Sequence, residues 1–248
     1  SENKHIVEYL KTRGISGETA KNFKIGFADF NQTKLLAELQ NKFSDKEILE
    51  SGNFLRNEKG FYPFQRNRVT FPIQNSSGKI IGFGGRVIDD SQPKYLNSKD
   101  SKFFNKTREL YGFNNAKKDQ KTDDFIVTEG YMDVVMLSEH GVNNAVASLG
   151  TAFSQNHMNA MFKMRRKITF CFDSDEAGLK AAWRALQISL KNVFDDRTVR
   201  FLFLPEGYDP DSFVKEKGNK EFYKKLERAM VLESFTFQYL KRGKKLDS

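Results

Sequence analysis

The sequence has few of the residues that mark secreted, zinc-binding or membrane-spanning proteins. Cys171 is its one cysteine, which excludes an internal disulfide framework and fits a reducing cytosol. Its three histidines, His5, His140 and His157, are scattered and no CxxC pair occurs, so a structural zinc site is not expected. No run of apolar residues is long enough to span a membrane or to act as a signal peptide. Because the chain does not begin with methionine, we expect it to be a fragment.

The net charge of +9 is distributed unevenly along the chain. Residues 1–55 carry eight basic and eight acidic side chains, residues 56–118 carry thirteen and five, and residues 119–248 carry twenty and nineteen. The middle block therefore holds +8 of the +9, and it is interleaved with aromatic residues. This pattern predicts a surface that binds a polyanion. From charge alone, a solvated basic face that keeps the protein soluble is an equally good interpretation.

The first 55 residues are predicted to be mostly helical. The segments NKHIVEYLKTRGIS and ETAKNFKIGFA are interpreted as short helices broken at Gly14 and Gly26. The segment TKLLAELQNKFSDKEILESG is interpreted as two more helices that end at Gly52.

The next region is predicted to contain a β-hairpin. The runs RVTFPIQ and KIIGFGGRVI are rich in β-branched and aromatic residues and flank the turn NSSG. The GFGG within the second strand is not followed by the helix that a nucleotide-binding loop needs. A bulge or a close approach of two backbones is therefore favoured there.

From about residue 121 onward, short apolar runs alternate with segments of helical spacing. This alternation predicts βαβ units, and hence an α/β domain with a mostly parallel sheet and helices on both faces. The predicted strands are DFIVTEG, NNAVASLG, KITFCFD and TVRFLFLP, and the predicted helices between them are YMDVVMLSEHG, SQNHMNAMFKM and DEAGLKAAWRALQISL.

Six carboxylates share a position in this pattern, because each comes at or soon after the end of a predicted strand. In open α/β sheets the ligand site lies outside the carboxyl ends of the strands, so we expect these acids to converge at one edge. They are Glu129, Asp133, Asp173, Asp175, Asp209 and Asp211.

Carboxylates brought together in this way repel one another unless a cation lies among them. Mg²⁺ and Mn²⁺ prefer oxygen ligands, so the acids predict a divalent-metal site. An extended backbone would place both acids of each Asp-x-Asp pair on one side, and Pro210 favours extension at Asp209. Asp175 as a helix cap and Asp-Pro as a turn are the structural alternatives, favoured for each pair taken singly. The whole set favours metal-assisted phosphoryl chemistry.

Segments in both halves of the chain resemble the RNA polymerase core of bacterial DnaG-type DNA primases. TEGYMDVVML, NNAVASLGTAF, FCFDSDEAGLKAAWRAL and FLPEGYDPDSF resemble its Toprim domain. RNRVTFPIQNSSGKIIGFGGRVI, PKYLNS and FNKTRELYGF resemble its basic subdomain, and YLKTRGISGETAKNFKIGFA resembles its N-terminal entry. The resemblance implies a basic α+β subdomain over residues 1–120, a Toprim-type α/β domain over residues 121–212 and the start of a truncated helical subdomain over residues 213–248.

The resemblance also implies roles for individual residues. Glu129 is expected to act as a metal ligand or proton-transfer group, Asp173 and Asp175 to bind Mg²⁺, and Asp133 to support this catalytic site. Asp209 and Asp211 match a further acidic pair of the metal site. The residues that match nucleotide or nucleic-acid contacts are Arg68, Arg86, Lys94, Tyr95, Asn97 and Lys106.

The implied activity is synthesis of short RNA primers on single-stranded DNA from ribonucleoside triphosphates, with Mg²⁺ or Mn²⁺ and an RNA–DNA hybrid as product. The expected setting is the bacterial cytoplasm at the replication fork, with no membrane partner. A zinc-binding module and a domain that binds the replicative helicase are expected to lie outside this chain, and no zinc is expected within it. A Toprim nuclease and a non-catalytic nucleic-acid-binding module remain as alternatives.

Overall fold

A computed structural model describes residues 4–192 and 196–243. The chain divides into two compact units, residues 1–105 and residues 106–248, which we call unit 1 and unit 2. Within the described residues, no helix is both long and apolar enough to cross a membrane.

Unit 1 begins with four short helices, two of which are capped by serine side chains. Ser16 accepts a hydrogen bond from the amide of Thr19 over 3.1 Å, and Ser44 forms a reciprocal capping box with Glu47. The segment KIGFA contains a short strand rather than the end of a helix, so that part of the helical prediction is wrong. The elements are α1 (Lys4–Thr12), α2 (Gly17–Asn22), β1 (Gly26–Ala28), α3 (Thr33–Gln40) and α4 (Asp45–Glu50).

Two antiparallel sheets form the rest of unit 1. A two-stranded hairpin consists of β2 (Phe54–Asn57) and β3 (Gly60–Pro63). A four-stranded sheet has the order β1-β4-β5-β6 and contains the predicted hairpin. Its further strands are β4 (Arg68–Gln74), β5 (Ile80–Val87) and β6 (Tyr95–Asn97).

The glycines of GFGG lie in β5 at a bulge and under a buried side chain. The register against β4 slips where Ile73 faces Gly82 and Gln74 faces Ile80, so the predicted bulge is confirmed. A Cβ atom on Gly85 would lie 1.5 Å from Oε1 of Gln65, because the Gln65 side chain crosses the sheet there and donates to the carbonyls of Phe83 and Leu96. Gly85 therefore makes room for a side chain and not for a second backbone.

Unit 2 has the predicted α/β alternation. Gly218 interrupts its long penultimate helix with non-helical angles (φ 78°, ψ 167°). The elements are α5 (Phe113–Ala116), β7 (Asp124–Thr128), α6 (Tyr131–Glu139), β8 (Ala145–Ala147), α7 (Gln155–Phe162), β9 (Lys167–Phe172), α8 (Glu176–Ser189), β10 (Thr198–Phe203), α9 (Pro210–Glu227), β11 (Met230–Val231) and α10 (Leu232–Gly243).

The sheet of unit 2 has the strand order β11-β10-β9-β7-β8. Four of these strands are parallel, and β11 pairs antiparallel with β10 at the edge. The predicted fold class, a mostly parallel Toprim-type sheet flanked by helices, is confirmed. No sequence pattern predicted β11, which is two residues long. Behind it α10 packs Phe235 against Phe201 of β10, with ring centroids 4.6 Å apart.

Candidate metal centre and nucleic-acid interface

The fold of unit 2 brings the six predicted acids to one edge of the parallel sheet. The carboxyl ends of β7, β9 and β10 point the same way, and each is followed by a turn into a helix. Glu129 follows β7, Asp133 lies in the first turn of α6, Asp173 follows β9, Asp175 is the N-cap of α8, Asp209 is the N-cap of α9 and Asp211 lies in the first turn of α9.

Asp133 is the most deeply buried of these acids. Its side chain is 8% exposed, and its Oδ2 accepts a hydrogen bond from the amide of Gly130 over 3.0 Å. Burial, followed by the nearby charges of Asp209, Asp173 and Asp211, raises the pKa of Asp133 to about 8. This carboxyl group therefore holds its proton at neutral pH when no cation is bound.

Glu129 and Asp173 face each other at the ends of adjacent strands. Desolvation and the charges of Asp173 and Asp175 raise the pKa of Glu129, while a hydrogen bond from the Asp173 amide opposes the rise. Desolvation and the charges of Asp209 and Asp175 likewise raise the pKa of Asp173. Among the described residues, no lysine or arginine forms an ion pair with Glu129, Asp133 or Asp173. Repulsion at this edge is therefore left uncompensated by the protein.

Asp175 caps α8, as the structural alternative predicted. Its Oδ1 accepts a hydrogen bond from the amide of Gly178 over 2.7 Å, and its exposed side chain has a second oxygen. A Cβ atom on Gly178 would lie 2.2 Å from the carbonyl oxygen of Asp173. Only glycine lets the first turn of α8 approach the backbone of Asp173 this closely. Gly178 thus positions both acids, a role that sequence reasoning did not assign, although the glycine in DSDEAG was a visible signal.

Asp209 lies on extended backbone, as Pro210 predicts, but Asp211 lies in the first turn of α9, so the two acids do not share one extended stretch. Asp209 is extended (φ −98°, ψ 169°), but Pro210 begins α9, where a proline at the first helical position is well tolerated. Asp209 accepts hydrogen bonds from the amide and hydroxyl of Ser212 over 2.7 and 2.5 Å. Both acids still lie near Asp133, because the charges of both raise its pKa.

Three of the acids, Asp173, Asp175 and Asp209, border an open cleft of about 640 Å³. Its lining includes Asp173, Ser174 and Asp175 from the start of α8, and Glu206 and Asp209 from the loop before α9. Within residues 4–192 and 196–243, no three acidic, histidine or cysteine side chains are close enough together to form a finished ligand set. The carboxylate oxygens at this edge are ligands of the kind that a hard divalent cation prefers. The side chains must move closer together to coordinate one.

Cys171 lies within β9, two residues before Asp173, and is fully buried. Burial, together with the charges of Asp133, Asp173 and Glu129, raises the pKa of its thiol well above the usual value. A thiol that is held protonated is a poor nucleophile, so Cys171 acts as a core residue.

Lys106 lies in unit 2. Its backbone is hydrogen-bonded to residues that follow the carboxyl end of β8. Its carbonyl oxygen is 3.1 Å from Nε2 of His157 and accepts from the hydroxyl of Thr151 over 3.5 Å. The Ser154 amide donates to Nδ1 of His157, so Nε2 carries the ring proton and donates to Lys106. Burial lowers the pKa of His157 to about 4. The imidazole therefore stays neutral and orders the segment that carries Lys106, which is a second role missed from sequence.

The other predicted nucleic-acid-binding residues lie in unit 1, where the strand register separates them. Arg86 faces Tyr95 across β5 and β6, and Gly84 faces Asn97, so Arg86, Tyr95 and Asn97 share one face of the sheet. Nη1 of Arg86 donates to the Tyr95 hydroxyl over 3.1 Å, and the guanidinium lies 5.4 Å from the centre of the ring. Lys94, just before β6, is exposed.

Arg68 lies on the opposite face of this sheet. It is paired with Val87, whereas Arg86 is paired with Val69, and adjacent residues of a strand point to opposite faces. Arg68 is 6% exposed, and its Nη1 lies 3.4 Å from the carbonyl oxygen of Lys94, to which it donates. Burial lowers the pKa of its guanidinium, and the charge of Asp89 opposes this. The register therefore does not bring Arg68 together with Arg86, Tyr95 and Asn97.

Both halves of the chain match known protein families. Residues 1–117 match the family described as "DNA primase catalytic core, N-terminal domain", and residues 126–214 match the family described as "Toprim-like". The DNA primase of Pseudomonas putida is 46% identical over 242 residues, which cover 96% of this chain and 37% of that protein. The chain thus spans well under half the length of this curated relative.

Two solved structures are similar along nearly the whole chain. A DNA primase domain from Pseudomonas aeruginosa has a TM-score of 0.89 and 46% identity, covering 95% of this chain and 75% of that one. A DnaG primase catalytic domain bound to single-stranded DNA has a TM-score of 0.90 and 40% identity, covering 95% of this chain and 74% of that one. On these similarities, together with the acidic strand ends, the chain belongs to the family of DnaG-type DNA primase catalytic cores.

Proposed function

We propose that this chain is the catalytic part of a primase that makes short RNA primers on single-stranded DNA from ribonucleoside triphosphates. The single observation that carries the proposal is the set of acids at the sheet edge of unit 2, where Glu129, Asp133 and Asp173 form no ion pair with any basic residue that the structure describes. Membership of the DnaG primase family supports the reaction type, and a relative solved with single-stranded DNA supports the template.

Asp173, Asp175, Asp209 and Asp211 would hold Mg²⁺ or Mn²⁺, together with Glu129. When bound, a divalent ion stabilises the charge that develops on the attacking, bridging and leaving oxygens of a phosphoryl group. The family relationship supports divalent-metal use in general, and the choice of these five residues is our proposal.

The residues of the acidic edge would bind the incoming nucleotide and accept the proton of the attacking hydroxyl group. The N-termini of α8 and α9 border the cleft, and their amide dipoles favour the phosphates of the incoming nucleotide. Glu129 would take the proton from the attacking 3′-hydroxyl on a carboxylate oxygen that is not bound to the cation. Asp133 fixes the turn at Gly130 and thereby orients Glu129.

The basic side chains would bind the nucleic acid and the nucleotide. Lys94 and Arg86 would contact phosphates, Asn97 would donate to them, and the exposed ring of Tyr95 would stack on an unpaired base. In unit 2, Lys106 would contact the triphosphate. We assign Arg68 to holding the Lys94 carbonyl, with nucleic-acid contact as the remaining prediction from sequence.

The finer assignments are proposals as well. The product would be an RNA–DNA hybrid, the replicative helicase would bind through a domain outside this chain, and the protein would act in the bacterial cytoplasm at the fork. The predicted domain limits at residues 120 and 212 stay predictions.

The test is incorporation of labelled ribonucleotides by this chain on single-stranded DNA with Mg²⁺ or Mn²⁺. We expect Asp173→Ala to lower incorporation by at least about 100-fold, because it removes a ligand that no neighbour replaces. Asp123→Asn is the matched control, since Asp123 lies before β7 at the opposite end of the sheet and should change the rate by less than about twofold.

Product analysis separates the other functions. Metal-dependent degradation of DNA without nucleotides would indicate a nuclease, and binding without any chemistry would indicate a non-catalytic module. Full incorporation by Asp173→Ala would contradict the assignment of the acidic edge.

A further inference from the structure

Unit 1 contains a cavity of about 510 Å³ between α3 and the four-stranded sheet. Leu35 and Leu39 of α3 line it, together with Phe54 of β2 and Phe83 of β5. None of the residues assigned above to metal, nucleotide or template lines it. Its volume and its apolar, aromatic lining with a few polar groups are those of sites that bind small molecules.

The helix above this cavity is anchored at its start and little buried along its length. The side chain of Asn31 accepts from the amide and hydroxyl of Thr33 over 3.1 and 2.6 Å. Nε2 of Gln32 donates to the carbonyls of Asp29 and Gln65 over 2.7 and 2.8 Å. No residue of α3 is buried, and Leu35 is 46% exposed. The first turn of α3 is thus held by hydrogen bonds, while Leu35 and Leu39 line a cavity that a ligand could fill.

Among the polar side chains that line the cavity, those of Asp29, Gln32, Asn53 and Thr70 can offer acceptors to a ligand, and that of Lys34 offers donors. Because the NH₂ group of Gln32 is used by two carbonyls, its Oε1 is the atom that remains. Asn53 donates only a 3.4 Å hydrogen bond from Nδ2 to Ser51, and among the described residues no donor reaches its Oδ1. The Thr70 hydroxyl can accept as well as donate. Oε1 of Gln65 also lacks a donor, but it is buried against Gly85 and does not count toward the ligand.

We propose that this cavity binds an adenine nucleoside. The purine would lie against the aromatic lining of Phe54 and Phe83, whose faces favour a flat heterocycle. A carboxamide is the group that pairs with both N6 and N7 of adenine, and Asn53 can do so with only a weak bond to give up. Gln32 and Thr70 would accept from the amino group or the ribose hydroxyls. The site is separate from the acidic edge and does not depend on the function proposed above.

The proposal is tested with adenosine, which carries no phosphate, in EDTA so that no metal-dependent site contributes. Saturation-transfer NMR should show binding of the purine protons, and adenosine at about 100 times its Kd should raise the Tm of the chain by about 5–10 °C. Purine riboside, which lacks the amino group, should bind about tenfold more weakly, because the acceptors then stay unpaired.

Two variants of α3 form a matched pair. Leu35→Trp fills the cavity and should abolish adenosine binding, whereas Ala37→Trp places the same ring on an exposed position of the same helix that does not line the cavity. If Leu35→Trp fails to fold, Thr70→Val, which keeps shape and strand preference, should weaken binding by about tenfold without changing the Tm of the free protein.

The proposal fails if adenosine gives no signal, if purine riboside binds equally well, or if the two tryptophan variants behave alike. It also fails if Asp173→Ala abolishes adenosine binding and Leu35→Trp does not, because adenosine would then lie at the acidic edge. That last result would leave the proposed metal site standing, so the two proposals fail separately.

Discussion

Asp133 and Asp173 of unit 2 and Arg68 and Arg86 of unit 1 are all buried or half-buried charged residues, but their surroundings differ. The acids follow the ends of parallel strands and repel one another, so the pKa values of Glu129, Asp133 and Asp173 rise. Arg68 and Arg86 lie within antiparallel strands, and each donates to a neighbouring group of the protein itself. The acidic edge is thus built for a charge that comes from outside, whereas each arginine already has one partner within the protein, and Arg86 keeps further N–H donors for a phosphate.

The position of a charged residue, at the end of a strand or inside it, also decides whether its location can be predicted from sequence. An acid after a strand is placed by topology alone, because all parallel strands end at one edge. A charge inside a strand is placed by register, and a shift of one residue moves it to the other face.

The largest expected effect is the change with pH in the unfolding free energy of the metal-free protein, which Asp133 causes. Its folded pKa, about 8, lies above the value of an unfolded aspartate, so the folded state binds the extra proton between about pH 4 and pH 8. The contribution of Asp133 to stability should therefore be greatest at low pH and should be lost as pH rises toward 8, by several kcal/mol at about 1.4 kcal/mol per pKa unit. Urea unfolding in EDTA at about pH 5 and about pH 8 measures this.

Asp133→Asn is the variant that sharpens the result. The amide keeps the acceptor for Gly130 and cannot ionise, so much of the pH dependence should disappear. An unchanged dependence in Asp133→Asn would show that other groups cause it.

A smaller effect is expected from Gly178→Ala, which tests how tightly α8 must approach Asp173. The added methyl group would overlap the Asp173 carbonyl, so the helix must move, at a cost of about 1–3 kcal/mol in unfolding free energy and with loss of nucleotide incorporation. Gly17→Ala is the control, because a Cβ atom there meets nothing within 4 Å and alanine favours the helix by up to about 1 kcal/mol. Equal outcomes for the two variants would remove the positioning role of Gly178.

The smallest effects should separate the two arginines. Arg68→Met should cost about 1 kcal/mol of unfolding free energy, because the Lys94 carbonyl loses a donor, and should change the affinity for single-stranded DNA little. Arg86→Met should weaken DNA binding and lower the slope of log K against log salt by about 1. Fluorescence anisotropy at several salt concentrations measures the DNA affinity of both variants. If Arg68→Met weakens DNA binding and Arg86→Met does not, Arg68 is the residue that contacts the nucleic acid.

Much of the fold could be predicted, because it depends on local patterns. The alternation of apolar runs with helical spacing predicted the parallel sheet, and the NSSG turn predicted the hairpin of β4 and β5. The segment KIGFA was misassigned because β1 is only three residues long and is stabilised by pairing with β4, which no local pattern shows. The two residues of β11 escaped for the same reason.

The candidate site was predictable as a group of acids but not in its internal geometry. Pro210 favoured extension at Asp209, which the structure shows, but proline also suits the first position of a helix, and the hydrogen bond from Ser212 to Asp209 caps the helix in which Asp211 lies. Gly178 and His157 act through contacts with residues that only the fold brings near, so their roles required the structure.

The central claim is that the acidic edge of unit 2 binds a divalent cation, and calorimetric titration of the chain with Mn²⁺ tests it most directly. We predict saturable binding that strengthens as pH rises, because the carboxylates must lose their protons to bind. Asp173→Ala should abolish it, and Asp123→Asn should leave it unchanged. Binding of equal strength in the wild type and Asp173→Ala would contradict the account.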